Sequence, residues 1–223
     1  MIKAAIFDMD GLLVDSEPLW QRVNRDVYKK LGVELTAADH QMMIGQRTNE
    51  NVEYLYQLYQ WKGPTPQQVE KQVVDEMVRL IRASEAAMLP GVHHALQVCK
   101  QAGLPVAIAS SSDQAIIDAV VDTLELRDHF NHIYSAQFEE YGKPHPGVFL
   151  KVAKHFKVLP QQCLVFEDSP SGVLAAKAAR MICVAVPHPA NREHPFIKIA
   201  DAELGSLEEF DAALLRRLGE PGV

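Results

Sequence analysis

The sequence predicts an α/β fold: a Rossmann-like parallel sheet with helices on both faces and an all-helical segment inserted early in the chain. Three observations carry this. Short, uninterrupted apolar runs recur at 4–7, 105–109, 164–166 and 182–186, as expected of strands buried on both faces. Apolar residues three and four apart fill the gaps between the last three runs. The interval between the first two runs is far longer than one crossover needs, and it too has helical periodicity. At 223 residues, 48% hydrophobic and 23% charged, the chain is large enough for one sizeable core with an insertion.

Taken in order, the first run, Ala4-Ala5-Ile6-Phe7, stops at Asp8-Met9-Asp10-Gly11. Residues two apart on a strand face the same way, so Asp8 and Asp10 address one small volume. One carboxylate there can attack phosphorus while the other handles a proton; the plain alternative is a pair of solvated acids at a strand–loop junction. A first inserted helix carries Leu19, Trp20, Val23, Val27 and Leu31; a second spans 48–61; a third spans 67–86 with Val69, Val73, Met77, Leu80 and Ile81. Gly63-Pro64-Thr65-Pro66 separates the last two. The expected domains are therefore a catalytic core of 1–15 and 88–223 and an inserted helical cap of 16–87, hinged at 13–17 and 84–91. Both Trp and four of the six Tyr (Tyr28, Tyr54, Tyr56, Tyr59) fall in the insertion, and all eight Phe outside it. Polar-edged aromatics suit a partly wet surface, such as a lid over a site.

The helix Val92, Ala95, Leu96, Cys99, Ala102 closes at Gly103 as a C′ stop. The second run leads into Ser110-Ser111-Ser112 and a helix from Asp113 through Ile116, Ile117, Val120, Val121 and Leu124. Hydroxyls and backbone N–H groups at a helix start form either a phosphate cradle or a plain N-cap. Lys143 sits in Tyr141-Gly142-Lys143-Pro144-His145-Pro146, where Gly and Pro make a rigid turn. A lysine held there can offset charge on a carboxylate and on a phosphoryl group, with a solvent-facing loop lysine as the plain alternative. His145 offers a base, but between two prolines it reads first as ordering the turn. Pro146 starts the helix Val148, Phe149, Val152, Ala153, Phe156, and Ser169-Pro170, as N-cap and N1, opens another through Ala179.

Glu167 and Asp168 close the third run. Adjacent acids at a buried strand end repel and are costly to desolvate. A bound Mg²⁺ relieves that cost, with Asp8, Asp168 and the Asp10 backbone carbonyl as hard oxygen donors and Glu167 reached through water. The alternative has Glu167 facing solvent and Asp168 capping the next helix.

Net charge is −7, from 22 basic and 29 acidic residues, with no basic block, so nucleic acid is not the expected partner. An anionic substrate needs a local positive site instead. Cys99, Cys163 and Cys183 are odd in number, widely spaced and flanked by apolar residues, which excludes a CxxC zinc site and predicts buried free thiols. No signal-peptide pattern and no apolar run approaching the ~20 residues of a membrane span is present. The expectation is a cytoplasmic monomer acting on a small phosphorylated molecule.

Asp8-Met9-Asp10-Gly11, Ser110, Lys143 in Gly-Lys-Pro-His-Pro, and Glu167-Asp168-Ser169 together resemble, in order, the motifs of the haloacid dehalogenase-like hydrolase superfamily. The insertion resembles that family's first type of cap, and the chain is similar to the β-phosphoglucomutase-like branch. The run Asp15-Ser16-Glu17-Pro18-Leu19-Trp20 most resembles bacterial sugar phosphatases acting on 2-deoxyglucose 6-phosphate and hexitol phosphates. The resemblance implies a Mg²⁺-dependent phosphatase with Asp8 as nucleophile and Asp10 as general acid and base. It implies that Ser110, the Ser111 N–H and Lys143 hold the phosphoryl group, and that the cap chooses the substrate. Arg47 is a candidate cap contact to sugar or phosphate, with solvent exposure as the plain alternative. Glu17 and Trp20 face the hinge, Trp20 reading first as an apolar knob of its helix. The rivals are a phosphosugar mutase, which typically carries a histidine where this chain has Trp20; a dehalogenase, which needs neither Asp10 nor magnesium; and an inactive scaffold.

Overall fold

In the computed structural model, which describes residues 1–220, the chain opens with β1 (Ala4–Phe7) and β2 (Val14–Asp15). Four helices follow: α1 (Glu17–Lys30), α2 (Ala37–Met43), α3 (Thr48–Tyr59) and α4 (Pro66–Arg82). Next come β3 (Ala87–Met88), α5 (Val92–Gln101), β4 (Val106–Ser110), α6 (Gln114–Thr123), β5 (His132–Ser135) and α7 (Gly147–Phe156). The chain ends with β6 (Cys163–Glu167), α8 (Pro170–Ala178), β7 (Ile182–Ala185), β8 (Ala202–Glu203) and α9 (Ala212–Leu218).

Six strands form one parallel sheet in the order β5-β4-β1-β6-β7-β8. Its alternation explains the unbroken apolar runs. Ala5, Phe7, Ile108, Leu164, Phe166 and Val184 face a core shared with α5, α6 and α9. Ala4, Ile6, Ala107, Val165 and Cys183 face a second core built with α7 and α8. Both faces of β1, β4, β6 and β7 are dry, so these strands carry no charged or strongly polar side chain until their ends. The sheet order reverses at β1, between β4 and β6, and in such sheets the crevice at the carboxyl ends of these strands takes the ligand.

α1–α4 lie between β2 and β3, which pair antiparallel with Val14 opposite Met88 and Asp15 opposite Ala87. This short ribbon occupies the two stretches read as hinges. Residues 221–223 of the expected core lie outside the described residues. Within the insertion α4 packs on α1 and α3, and also on α6 of the sheet domain. Its aromatics depart from the wet-surface expectation at two places: Tyr28 and Trp61 are buried and meet edge to face at 5.8 Å, with Tyr56 against Trp61 at 4.9 Å.

Six of these elements were not anticipated: β2, β3, β5, β8, α2 and α9. α2 is a short helix set by a capping box, with Thr36 Oγ1 accepting from the Asp39 N–H and the Asp39 carboxylate accepting from the Thr36 N–H. β5 is an edge strand and only partly buried, so it lacks an apolar run. β8 has two residues. The cysteines are free and buried; burial pushes the Cys99 thiol up to about 12 and Cys163 up to about 11, far from reactive thiolates. No helix of the described residues is long and apolar enough to cross a membrane.

Candidate active site

The strand ends deliver the ionic groups. β1 ends at Phe7, so Asp8 is the first residue past the dry sheet, and its N–H donates to the Phe166 carbonyl of neighbouring β6 at 3.0 Å. Lys143 arrives from the loop before α7, through a cis Lys143–Pro144 peptide. Its Nζ donates to Asp8 Oδ1 at 2.6 Å, to Glu167 Oε1 at 2.6 Å and to the Ala109 carbonyl at 3.1 Å. These use all three ammonium donors. Phe149 places its ring 4.9 Å below the same nitrogen.

The two adjacent acids divide. Glu167 is fully buried; its Oε2 accepts from the N–H groups of Asp168 and Ser169 and from Ser169 Oγ at 3.0–3.2 Å. It therefore anchors Lys143 and the turn into α8, and does not face solvent. A Cβ on Gly172 would overlap the Glu167 carboxylate, which is why the first turn of α8 carries a glycine. Asp168 does not cap α8: Ser169 does, accepting from the Gly172 N–H at 3.1 Å. The Asp168 carboxylate lines the pocket and accepts no hydrogen bond among the described residues. Gly11, at φ +72°, passes so close that any side chain there would strike it.

Charge in this cluster does not balance. Carboxylate oxygens of Asp8, Glu167 and Asp168 lie within 4.8 Å of one another, around a single ammonium. Burial, with Glu167 and Asp10 nearby, pushes Asp8 up to about 8 despite Lys143. Burial, then Glu167 and Asp8, pushes Asp168 well above the ordinary carboxylate range. For Lys143 burial works in the opposite sense, but Asp8 and Glu167 outweigh it and hold the ammonium above its usual range. A cluster of hard oxygens short of positive charge fits a small divalent cation such as Mg²⁺.

Asp10 stands beside this cluster in a cage of donors. Ser16 Oγ donates to Oδ1 at 2.6 Å and Trp20 Nε1 at 3.1 Å; Ser112 Oγ donates to Oδ2 at 2.7 Å and Ser110 Oγ at 3.5 Å. Ser16 sits at the N-cap of α1, yet its side chain caps nothing there because it serves Asp10. Ser110 Oγ also accepts from the Ser112 N–H at 3.0 Å, and Ser111 Oγ donates to the Gly45 carbonyl of the insertion at 2.9 Å. Ser16 and Ser112 were not singled out from the sequence. Trp20 is half-buried against the core, as its helix position suggests, but its indole N–H is a working part of the site. His145 orders its turn, Nδ1 accepting from the Gly147 N–H.

Asp8, Asp10, Ser110, Ser111, Lys143 and Asp168 line one cavity of about 530 Å³, and Glu17 and Trp20 of α1 line it too. Arg47 is not there, and its reading as a contact to sugar, phosphate or solvent is corrected. Its buried guanidinium donates to the carbonyls of Ala136, Glu139 and Glu140 and to Glu50. Glu50 in turn accepts from the Gly142 N–H, next to Lys143. Burial would raise Glu50, but these hydrogen bonds hold it below the usual range. Arg47 thus ties α3 to the loop that carries Lys143.

A family model described as haloacid dehalogenase-like hydrolase matches residues 2–180. Hexitol phosphatase B of Escherichia coli K12 is 41% identical over 212 residues, 95% of either chain. A fructose-1-phosphate phosphatase of the same organism is 33% identical over 186 residues, 81% of this chain and 94% of its own. Among solved structures, a β-phosphoglucomutase from Clostridium difficile matches with a TM-score of 0.86 at 26% identity, covering 98% of this chain and 97% of that one.

Proposed function

Because the chain belongs to the haloacid dehalogenase-like hydrolases, we propose that this site hydrolyses small sugar phosphates, hexose or hexitol monoesters, through an aspartyl-phosphate. The observation that carries the reading is the pairing at the end of β1. Asp8 is fixed through one oxygen by Lys143, and its other oxygen accepts no hydrogen bond among the described residues. Asp10, two positions on, is held by four hydroxyl or indole donors. One carboxylate is oriented to attack and the other to move a proton.

In this reading Asp8 forms a bond to phosphorus as the ester P–O bond breaks, and Asp10 gives its proton to the departing sugar oxygen. Water then attacks the phosphorylated Asp8, Asp10 takes the water's proton, and inorganic phosphate leaves with Asp8 restored. Ser110 and the Ser111 N–H flank the phosphoryl position. Lys143 keeps the Asp8 carboxylate oriented and lowers the cost of bringing a phosphate dianion to it. Mg²⁺ held by Asp8, Asp168 and the Asp10 backbone carbonyl would neutralise the repulsion between nucleophile and phosphate. The helices between β2 and β3 serve as a cap, and the protein acts as a monomer in the cytoplasm.

The test is phosphate release from hexitol and hexose 6-phosphates by purified protein, with Mg²⁺ and with EDTA. Release that depends on Mg²⁺ supports the reading; inertness toward every monoester refutes it. The likeness to a β-phosphoglucomutase makes isomerisation the second reading. Interconversion of hexose 1- and 6-phosphates without release would favour it.

A further inference from the structure

The cavity holds more room than a phosphoryl group fills, and its charge is one-sided. Five carboxylates line it (Asp8, Asp10, Asp15, Glu17, Asp168) against one lysine and no arginine among the described residues. That lysine, Lys143, has all three donors committed to the site's own groups. Arg47, the buried cation of the insertion, is turned away onto backbone carbonyls. The part of the lining that comes from α1, α2 and the segment after α2 presents the amides of Gln21, Asn24, Gln41 and Gln46, which both give and accept hydrogen bonds.

Glu17 stands among these amides. It occupies the first turn of α1, where the helix dipole favours its anion; burial pushes its carboxyl above the ordinary carboxylate value, against the hydrogen bond it accepts from Gln21 Nε2 at 3.1 Å. Asp10, His40 and His188 are its charged or titratable neighbours in the cavity.

We infer that the insertion side of this cavity accepts an uncharged polyhydroxyl tail and rejects a second anionic group, with Glu17 as the residue that enforces the rejection. The inference rests on the phosphatase reading and narrows its substrate class to neutral-tailed monophosphates. A second phosphate or a carboxylate pushed against this wall loses its water without gaining a lysine or arginine, and it meets Glu17 as a like charge at short range. Selectivity then comes from a built-in repulsion as much as from attraction to hydroxyls. The same geometry opposes a mutase cycle, in which a bisphosphate must bind with its non-reacting phosphate far from the nucleophile.

The experiment compares kcat/KM for three six-carbon compounds: a hexitol 6-phosphate, the 6-phosphoaldonate whose far end is a carboxylate, and a hexose 1,6-bisphosphate. Each is measured with the wild type, Glu17→Gln and Glu17→Asp. In the wild type the second anion is expected to lower kcat/KM at least about tenfold. Glu17→Gln should shrink that ratio severalfold, chiefly through KM for the charged compounds, and Glu17→Asp should keep it. Equal use of neutral and acidic compounds by the wild type, or a ratio untouched by Glu17→Gln, overturns the inference while leaving the phosphatase reading intact. Calorimetric binding of the same compounds to Asp8→Asn ranks them without turnover. If no monoester is hydrolysed, the phosphatase reading falls, and the binding ranking still decides the charge preference.

Discussion

On the sheet side of the cavity Asp8, Lys143 and Glu167 are buried and locked to one another by bonds of 2.6 Å. On the insertion side Glu17, Gln21, Asn24 and His40 line the same space with one side-chain hydrogen bond among them, Gln21 to Glu17. The first arrangement cannot relax without exposing a charge to a dry interior, so it is pre-organised. The second keeps its polar groups available to a ligand. On the proposed function, chemistry that must be reproduced within a fraction of an ångström sits on rigid strand ends, and recognition of hydroxyls sits on side chains free to adapt. Arg47 and Glu50 join the two sides by bonding α3 to the loop before Lys143.

The comparison is broken most severely at Asp8. Asp8→Asn keeps the size of the side chain and a polar oxygen for Lys143, but removes the proposed nucleophile. Turnover should fall by at least about 10³-fold, with folding retained by circular dichroism. A pure variant that still releases phosphate would show that the bond to phosphorus is made elsewhere.

Lys143→Met should be next. It leaves Glu167 and Asp8 buried beside each other with no cation, and breaking a buried pair in this way costs about 3–5 kcal/mol. Urea unfolding measures the loss, and activity should disappear with it. The same imbalance predicts a pH effect in EDTA. Asp8 has its carboxyl raised from 3.8 to about 8, so the native state holds that proton more tightly than the unfolded chain. Its contribution is fully present below the unfolded value and is lost as pH rises through the folded one. The urea midpoint should therefore decline across that window in EDTA and stay level in Mg²⁺. A midpoint insensitive to both would mean the cluster is neutralised within the protein.

Arg47→Ala probes the junction between the two sides. It removes three bonds to backbone carbonyls and the partner of Glu50, for about 2–4 kcal/mol of stability. Gly142→Ala reaches the same contact from the other side, since its Cβ would stand 2.5 Å from Glu50 Oε2 and 2.9 Å from Arg47 Nε. Both variants should raise KM and lower kcat together, because the insertion and the Lys143 loop would no longer hold one position. Normal kinetics in a destabilised Arg47→Ala would confine Arg47 to folding.

What the sequence disclosed follows the same division. β1, β4, β6 and β7 are legible because burial on both faces leaves only apolar residues, and the acids at their ends are conspicuous for that reason. β5 is not legible: it lies at the sheet edge, and its His132 is stacked on His155 at 3.7 Å, a contact no periodicity encodes. α2 left a trace in Thr36 and Asp39, but seven residues give too little pattern to distinguish a helix from a loop. Arg47 was misplaced because its partners are backbone carbonyls about ninety positions away, where side-chain identity carries no signal. In the sequence Ser16 stands out only as part of the run 15–20, and Ser112 only as the last of the serine cluster; the turn of the chain after Gly11 brings the first to Asp10, and the pairing of β4 with β1 brings the second.

Trp20 gives the smallest effect and the finest test of where the two sides meet. Its ring packs against the core while its N–H, from α1, holds Asp10 at 3.1 Å. Trp20→Phe keeps most of the packing and removes only that donor. Three other donors remain on Asp10, so the carboxylate stays in place but is less tightly fixed. One net hydrogen bond is worth about 0.5–1.5 kcal/mol, which predicts a fall in kcat of about two- to tenfold. A small aryl phosphate is the substrate to use, because it does not reach the insertion wall; its KM should not move. If kcat also stays at the wild-type level, Trp20 serves the cavity by shape alone, and the hold on Asp10 belongs to the serines.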